Sequence, residues 1–391
     1  MSGISVPIAR TGLTEAEIAS VLEPLRSGWL VQGPKVKEFE DKWSAFTGVP
    51  HSLAVTSCTT GLHLAAVGLG LKPGDEVIVP AFTWIATANI VEHQKAKVVF
   101  CDIDLETFNI DVAAFEAAIT PRTVGVIPVH LFGLAADMDA VNAVAKKHGL
   151  WVIEDAACGF GATYNGAHVG ALGDAAAFSF HPRKAITTGE GGMVTTASDE
   201  LAETVRRLRD HGAALSDHQR HLGPRPYLLA DHPLAGYNQR MTDIQAALGS
   251  AQMDRADQII AERRRLAARY NHAFAGLDWL RTPAEPEGYG HGYQSYPCLF
   301  RPADVDRGQV ETVNSARNEW MDKLQQAGIS TRPATHAVHM LSYYRDKYEL
   351  APEAFPMARA ANDCSISLPL FHGMTEAEQD HVIGVVRQGP I

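Results

Sequence analysis

Cysteine is scarce in this chain of 391 residues. The five present, Cys58, Cys101, Cys158, Cys298 and Cys364, are an odd number at irregular spacing, with no CxxC pair. That argues against a disulfide framework and fits a reducing cytoplasm. No apolar run approaches the roughly 20 residues that a membrane helix requires. The opening stretch, MSGISVPIAR, lacks the charged head and long apolar core of a signal peptide. These absences together predict a soluble, cytoplasmic protein. Positive charge is also short: 34 Lys and Arg stand against 45 Asp and Glu, a net charge of −11. Nucleic acid is therefore a poor partner, because phosphate contacts need clustered cations. A local pocket for a small anion stays open. There are 17 histidines but no HExxH, and they read as polar loop residues rather than metal ligands.

What is present is globular: 46% hydrophobic and 20% charged residues, in a chain long enough for two cores. From about residue 50, short apolar runs (SLAVT, EVIVP, KVVFCDID, TVGVIPVHLF, GLWVIED, AAFSF, GMVTT) alternate with segments of helical spacing. This alternation predicts an α/β domain with a mostly parallel sheet covered on both faces. Ligands of such sheets sit at the carboxyl ends of the strands. From about Thr242 the pattern changes to one long amphipathic helix, followed by YQSYPCLF, ARNEWMDKLQQAGI, CSISLPL and a last helix. The chain divides on this reading into residues 1–250, a large domain with an N-terminal arm, and 251–391, a smaller α+β domain. Gly212 to Tyr237 reads as a long excursion, mobile or touching another subunit.

Three strand ends carry residues suited to chemistry. After SLAV comes Thr56-Ser57-Cys58-Thr59-Thr60-Gly61, where small and hydroxyl residues open a helix whose free N–H groups favour a phosphate. An ordinary N-cap would look the same. After LWVI come Glu154 and Asp155, and a buried carboxylate needs a partner such as a protonated ring nitrogen. A helix cap or salt bridge is the plain alternative. Ser179 ends the next strand, and Lys184 follows in a turn before TTGEGG. Lysine forms a Schiff base with an aldehyde when held deprotonated, whereas an isolated turn lysine is simply solvated. Trp84, at another strand end, could lie flat on a ring or pack in the core. Phosphate cradle, buried Asp and loop lysine, on successive strands of one α/β domain, are the requirements of pyridoxal 5′-phosphate (PLP).

The stretches GWLVQGPKVKEFE, PAFTWIATAN, PVHLFG, VIEDAAC, SFHPRKAITTGEGG, GYNQRMTDIQAALG and ISLPLFHGMTEAE cover nearly the whole chain. Together they resemble the DegT/DnrJ-type (StrS-like) nucleotide-sugar aminotransferases. That resemblance implies a fold type I PLP-dependent aminotransferase with a seven-stranded, mostly parallel mixed sheet and a smaller C-terminal α+β domain. It implies that Lys184 carries the cofactor as an internal aldimine and moves the proton, that Asp155 pairs with the pyridine nitrogen and that Trp84 stacks on the ring. Thr59, Thr60 and Ser179 match the phosphate contacts. Cys158 stands where many members have Gln or His near the ring hydroxyl, and a thiol is a weaker donor. Asn238 of GYNQRM is expected to reach the cofactor phosphate of a neighbouring subunit, making a homodimer with shared sites.

The implied reaction is a ping-pong transfer of an amino group from L-glutamate to a nucleoside-diphosphate-linked keto-deoxy-sugar, with a 4-keto acceptor preferred. Arg240, Lys35 and Arg332 are the candidate cations for the diphosphate. His336 falls in the TRPATHAVH stretch expected near the sugar or nucleotide. A keto-inositol acceptor, as in aminocyclitol synthesis, and a non-catalytic PLP-binding regulator are the alternatives. An intact Lys184 with Asp155 weighs against the regulator.

Overall fold

The computed structural model describes residues 4–215, 227 and 229–390. Seven strands form the central sheet: His51–Val55 (β1), Glu76–Pro80 (β2), Lys97–Cys101 (β3), Thr123–Val126 (β4), Trp151–Asp155 (β5), Ala175–Ser179 (β6) and Gly192–Thr196 (β7). Each falls within one of the seven apolar runs. Their spatial order is β1-β7-β6-β5-β4-β2-β3. All neighbouring pairs are parallel except those made by β7, which is antiparallel to both β1 and β6. The runs are apolar throughout because both faces of the sheet are buried. Helix Cys58–Gly68 covers one face. An aromatic cluster lies on the other, where the Trp43 ring meets both Phe178 and Phe180 at 5.0 Å.

Leu280–Arg281 (β8), Tyr296–Phe300 (β9) and Ser365–Leu368 (β10) make a separate three-stranded antiparallel sheet. It is backed by helices Val310–Gln326 and Pro356–Cys364. The single long helix expected after Thr242 is two, Asp243–Met253 and Ala256–Phe274. The break falls at Arg255, whose backbone leaves the helical region at φ −125° and ψ 24°. Its guanidinium is drawn to Glu17 at 2.6 Å and to His372 at 2.8 Å, tying the N-terminal helices to the small domain. The arm begins on the small domain as well, where Val6 exchanges hydrogen bonds with Gly328 and Ser330.

The two sheets are fastened to each other. Phe82–Thr83 pairs with His336–Ala337, and the Tyr344 hydroxyl donates to Asn89 at 2.7 Å. Asp102, just after β3, accepts the N–H groups of Met357 at 3.0 Å and Ala358 at 2.8 Å. It thus caps helix Pro356–Cys364 from across the domain boundary. The ends of the Gly212–Tyr237 excursion are closed by Ala214 N–H to Asp231 O at 2.9 Å and His211 N–H to Tyr237 O at 2.7 Å. Residues 216–226 and 228 of that excursion lie outside the described residues. Asp102→Ala should cost about 1 to 2 kcal/mol, the usual range for a lost cap. Urea unfolding followed by circular dichroism would show it as a lowered midpoint.

Candidate active site

Four strand ends converge on one edge of the central sheet, and the geometry starts from β5. Glu154, its penultimate residue, is fully buried. Its carboxylate accepts from His130 Nε2 at 2.8 Å and from the N–H groups of Gly170 at 2.7 Å, Leu172 at 2.8 Å and Gly173 at 2.7 Å. The His130 Nδ1 accepts from Ala136 N–H at 3.0 Å, so the ring proton sits on Nε2 and the imidazole is neutral. Burial alone would raise the Glu154 carboxyl, but His130 and the backbone donors outweigh it and hold the value below its ordinary 4.5. Side chains alternate along a strand, so Asp155 points to the opposite face.

Asp155 is buried at the strand tip. One carboxylate oxygen accepts from Thr87 Oγ1 at 2.7 Å, the other from Ala157 N–H at 3.1 Å with the Cys58 thiol 3.9 Å away. Its backbone N–H and C=O are both engaged by Pro128–His130, through Asp155 N–H to Pro128 O at 2.9 Å and His130 N–H to Asp155 O at 3.0 Å, and Ala177 is its register partner on the other side. The carboxylate is thus fixed in position, with lone pairs to spare for a cationic ring nitrogen. The Cys58 sulfur is pushed up by burial and by Asp155, and remains a thiol.

Lys184 lies in the turn after β6, half-buried, with Nζ 3.2 Å from Cys158 Sγ. Burial by itself would lower its pKa. The Cys158 sulfur beside it, with the Asp155 carboxylate contributing, outweighs that and raises it from its ordinary 10.5. Lys184, Cys158 and Ser179 line one cavity with Ala156, Ala157 and Gln294. The backbone of the loop is set by Lys184 N–H to His181 O at 2.8 Å and Thr188 N–H to Phe180 O at 3.0 Å.

The helix after β1 is capped by a reciprocal pair. Thr60 N–H donates to Ser57 Oγ at 3.2 Å, and Ser57 N–H donates to Thr60 Oγ1 at 3.0 Å. Thr60 is therefore engaged in the cap. The N–H groups of Cys58 and Thr59 stay among the first-turn donors that no intrahelical acceptor reaches. Gly192 brings this helix end close to the sheet: a Cβ there would stand 2.4 Å from the Ser57 carbonyl carbon. Since Gly192 is the register partner of Ser179, the helix N-terminus and the Ser179 hydroxyl border the same space. No larger residue than glycine leaves that cradle open.

Trp84 is 57% exposed, unusual for an indole at the tip of a buried sheet. The short strand pairing sets His336 beside it, with ring centroids 5.5 Å apart and edges to face. The GYNQRM segment runs antiparallel to the end of β1 through Val55 and Arg240, with Thr56 N–H to Gln239 O at 3.1 Å. Asn238 is exposed there, while Arg240 Nη1 pairs with Asp210 at 2.5 Å. Arg332 is exposed and bridges backbone to backbone with Ser367. Lys35 borders a different and larger cleft of about 370 Å³ beneath the N-terminal helices. Its amine pairs there with Glu23 at 2.7 Å and Glu38 at 3.0 Å. The other cations of that cleft, Lys42 and Arg255, are likewise neutralised by Asp254 and Glu17. The Lys184 cavity admits only about 10 Å³, room for one water, so what singles it out is the convergence of an amine, a thiol and a hydroxyl and not its size.

Two participants escaped the sequence reading. Thr87, three residues after Trp84, was legible only as a hydroxyl on an apolar helix. Gln294 gave no signal, because its place depends on contacts far away in the chain.

The DegT/DnrJ/EryC1/StrS aminotransferase family profile matches residues 12–387. GDP-perosamine synthase of Caulobacter vibrioides is 40% identical over 385 residues, 98% of each chain. The spore coat polysaccharide biosynthesis protein SpsC of Bacillus subtilis is 39% identical over 383 residues, 98% of this chain and 96% of its own. Among solved structures, the PLP form of Spr1654 from Streptococcus pneumoniae superposes with a TM-score of 0.89 at 30% identity, covering 98% of both chains. Its PMP form gives the same score.

The arrangement fits PLP from its own geometry. An amine lines a cavity, a fixed buried carboxylate stands behind it, a helix end with free donors adjoins a serine, and an exposed indole flanks the mouth. Glu154→Gln would set an amide NH₂ against N–H donors and leave His130 without its anion. A loss of about 3 kcal/mol is expected. The sign with pH follows from the lowered value: the stabilisation is complete above 4.5 and is lost as pH falls through the lower folded value. Urea midpoints of wild type and variant, compared between neutral pH and pH near 3, should converge at the acid end.

Proposed function

From the premise that the chain belongs to the DegT/DnrJ/EryC1/StrS aminotransferase family, PLP-dependent enzymes of fold type I, we propose that it aminates a sugar nucleotide. The donor is L-glutamate and the acceptor a nucleoside-diphosphate-linked keto-deoxy-sugar with its ketone at C4. The observation that carries this reading is Lys184 Nζ lining a cavity with Cys158 and Ser179, beside the Asp155 strand tip. The 40% identity to GDP-perosamine synthase supports the sugar-nucleotide acceptor.

PLP, when bound, supplies an aldehyde for amines and a ring that accepts electrons from the substrate carbon. The protein's part is placement and proton movement. Lys184 engages the cofactor and moves the proton at Nζ in both half-reactions. Asp155, held by Thr87 and Ala157, keeps the ring nitrogen charged. Cys58 and Thr59 N–H groups with Ser179 hold the phosphate. Trp84 covers the ring face and, with His336, bounds the side from which sugar and nucleotide arrive. Because one lysine serves both halves, donor and acceptor meet the same amine in turn, as a ping-pong scheme requires. Arg240 would have to share its charge with Asp210 to meet a diphosphate. Lys35 and Arg332 remain further candidates.

A homodimer belongs to the same reading. Six large apolar side chains between Leu13 and Val31 are exposed on the N-terminal arm, and so are Leu229 and Leu234 on the segment leading to exposed Asn238. A second copy covering this surface would bring Asn238 to the neighbouring cradle.

The test is the visible spectrum of purified protein with PLP, before and after L-glutamate, followed by a panel of 3-keto and 4-keto sugar nucleotides read by mass spectrometry. Bleaching by glutamate and a 4-amino product are expected. Turnover confined to 3-keto sugars would overturn the assigned position, and a spectrum indifferent to glutamate would overturn the donor. Lys184→Ala should lower turnover by on the order of 10³-fold or more.

A further inference from the structure

The small-domain loop from His291 to Ser295 is held by more interactions than a five-residue connection needs. The Arg263 guanidinium is buried and, among the described residues, forms no ion pair with a carboxylate. It donates to Tyr293 O at 2.8 Å, Gln294 O at 2.5 Å and Leu370 O at 3.4 Å. Burial lowers its pKa to about 10, so it is a cation at neutral pH. Gly292 N–H donates to Gly133 O at 2.8 Å. Gly133 itself is at φ +100°, where a Cβ would stand 2.8 Å from Tyr293 N, so only glycine lets the loop approach. Tyr293 adopts φ +45°, its ring lies on His291 at 3.9 Å, and its hydroxyl donates to Glu285 at 2.9 Å.

A left-handed tyrosine is strained and persists only where its surroundings over-determine it. What the loop delivers is Gln294. This side chain lines the cavity of Lys184 and donates Nε2–H to the Arg183 carbonyl oxygen at 3.0 Å. Arg183 immediately precedes Lys184. Other fastenings of the lysine loop come from the N-terminal arm and from helix Asp243–Met253. Thr11 Oγ1 donates to Pro182 O at 3.1 Å, and Gln252 bonds both N–H and C=O of Thr187 at 3.0 and 2.6 Å.

We propose that Gln294 is a positioning residue for Lys184, anchored by Arg263 and Tyr293 so that the small domain sets where the nucleophilic amine stands. The proposal rests on the reading of Lys184 as the residue that engages PLP. If Gln294 were only a contact between domains, its loss would weaken folding and leave the reactivity of Lys184 alone.

The experiment uses full-length protein freed of cofactor. PLP is added, capture is followed by absorbance, and the bound form is fixed by borohydride and located by peptide mass spectrometry. Label on Lys184 of the wild type secures the underlying reading, and label elsewhere sinks that reading first. Gln294→Met and Gln294→Glu each keep the side chain's length and remove its N–H. Capture slowed by on the order of 10-fold or more, with melting temperature within a few degrees of wild type, is the expected result. The kcat of the glutamate half-reaction should fall by a similar factor while KM stays within about 2-fold, since the contact is to the lysine loop and not to substrate. Wild-type capture rates in both variants, with label still on Lys184, would overturn the proposal. So would slowing in proportion to lost folded protein. If one variant fails to fold, the other decides.

Discussion

The Glu154 carboxylate is the interaction on which the rest of the site depends. Four donors converge on one buried anion: a neutral imidazole and three backbone N–H groups from a loop 16 to 19 residues later in the chain. A charge so placed is tolerable only because every lone pair is met. The arrangement locks β5 to the Gly170–Gly173 loop and to the His130 segment. The next residue out, Asp155, then has nowhere to move. One residue secures the strand on the inner face so that its neighbour can present a fixed charge on the outer one.

The remaining parts follow the same logic of backbone first and side chain second. The anion cradle is made of main-chain donors at a capped helix end, brought in by a glycine that lets Ser57 and β7 touch. The lysine loop rests on the Trp43, Phe178 and Phe180 rings, a close-packed floor that does not yield easily. Electrostatics then act on a fixed frame. The neighbours of the Lys184 amine raise its pKa, so engaging an aldehyde requires a proton to leave it.

Much of this was legible in the chain. The seven apolar runs mark the seven strands because a sheet buried on both faces is apolar except where a charge is fully partnered, as at Glu154. Lys184, Asp155, Ser179 and the Thr59–Thr60 turn lie at strand ends, where the sheet rule puts ligands. The helix break at Arg255 was not legible, since it depends on Glu17 and His372, more than a hundred residues away in either direction. Gln294 was hidden for the same reason, its position being fixed by Gly133 and Arg263. The ion pair of Arg240 with Asp210 could not be read either, for the GYNQRM motif says nothing of the partner its arginine finds inside the subunit.

The clamp of the Asp102 carboxylate on the first N–H groups of helix Pro356–Cys364 and the pairing of Phe82–Thr83 with His336–Ala337 both join the domains through backbone groups of the small domain. Such a junction has no second register to adopt at low cost. The same pairing sets Trp84 and His336 edge to face, so the rim of the site is itself made by the domain junction.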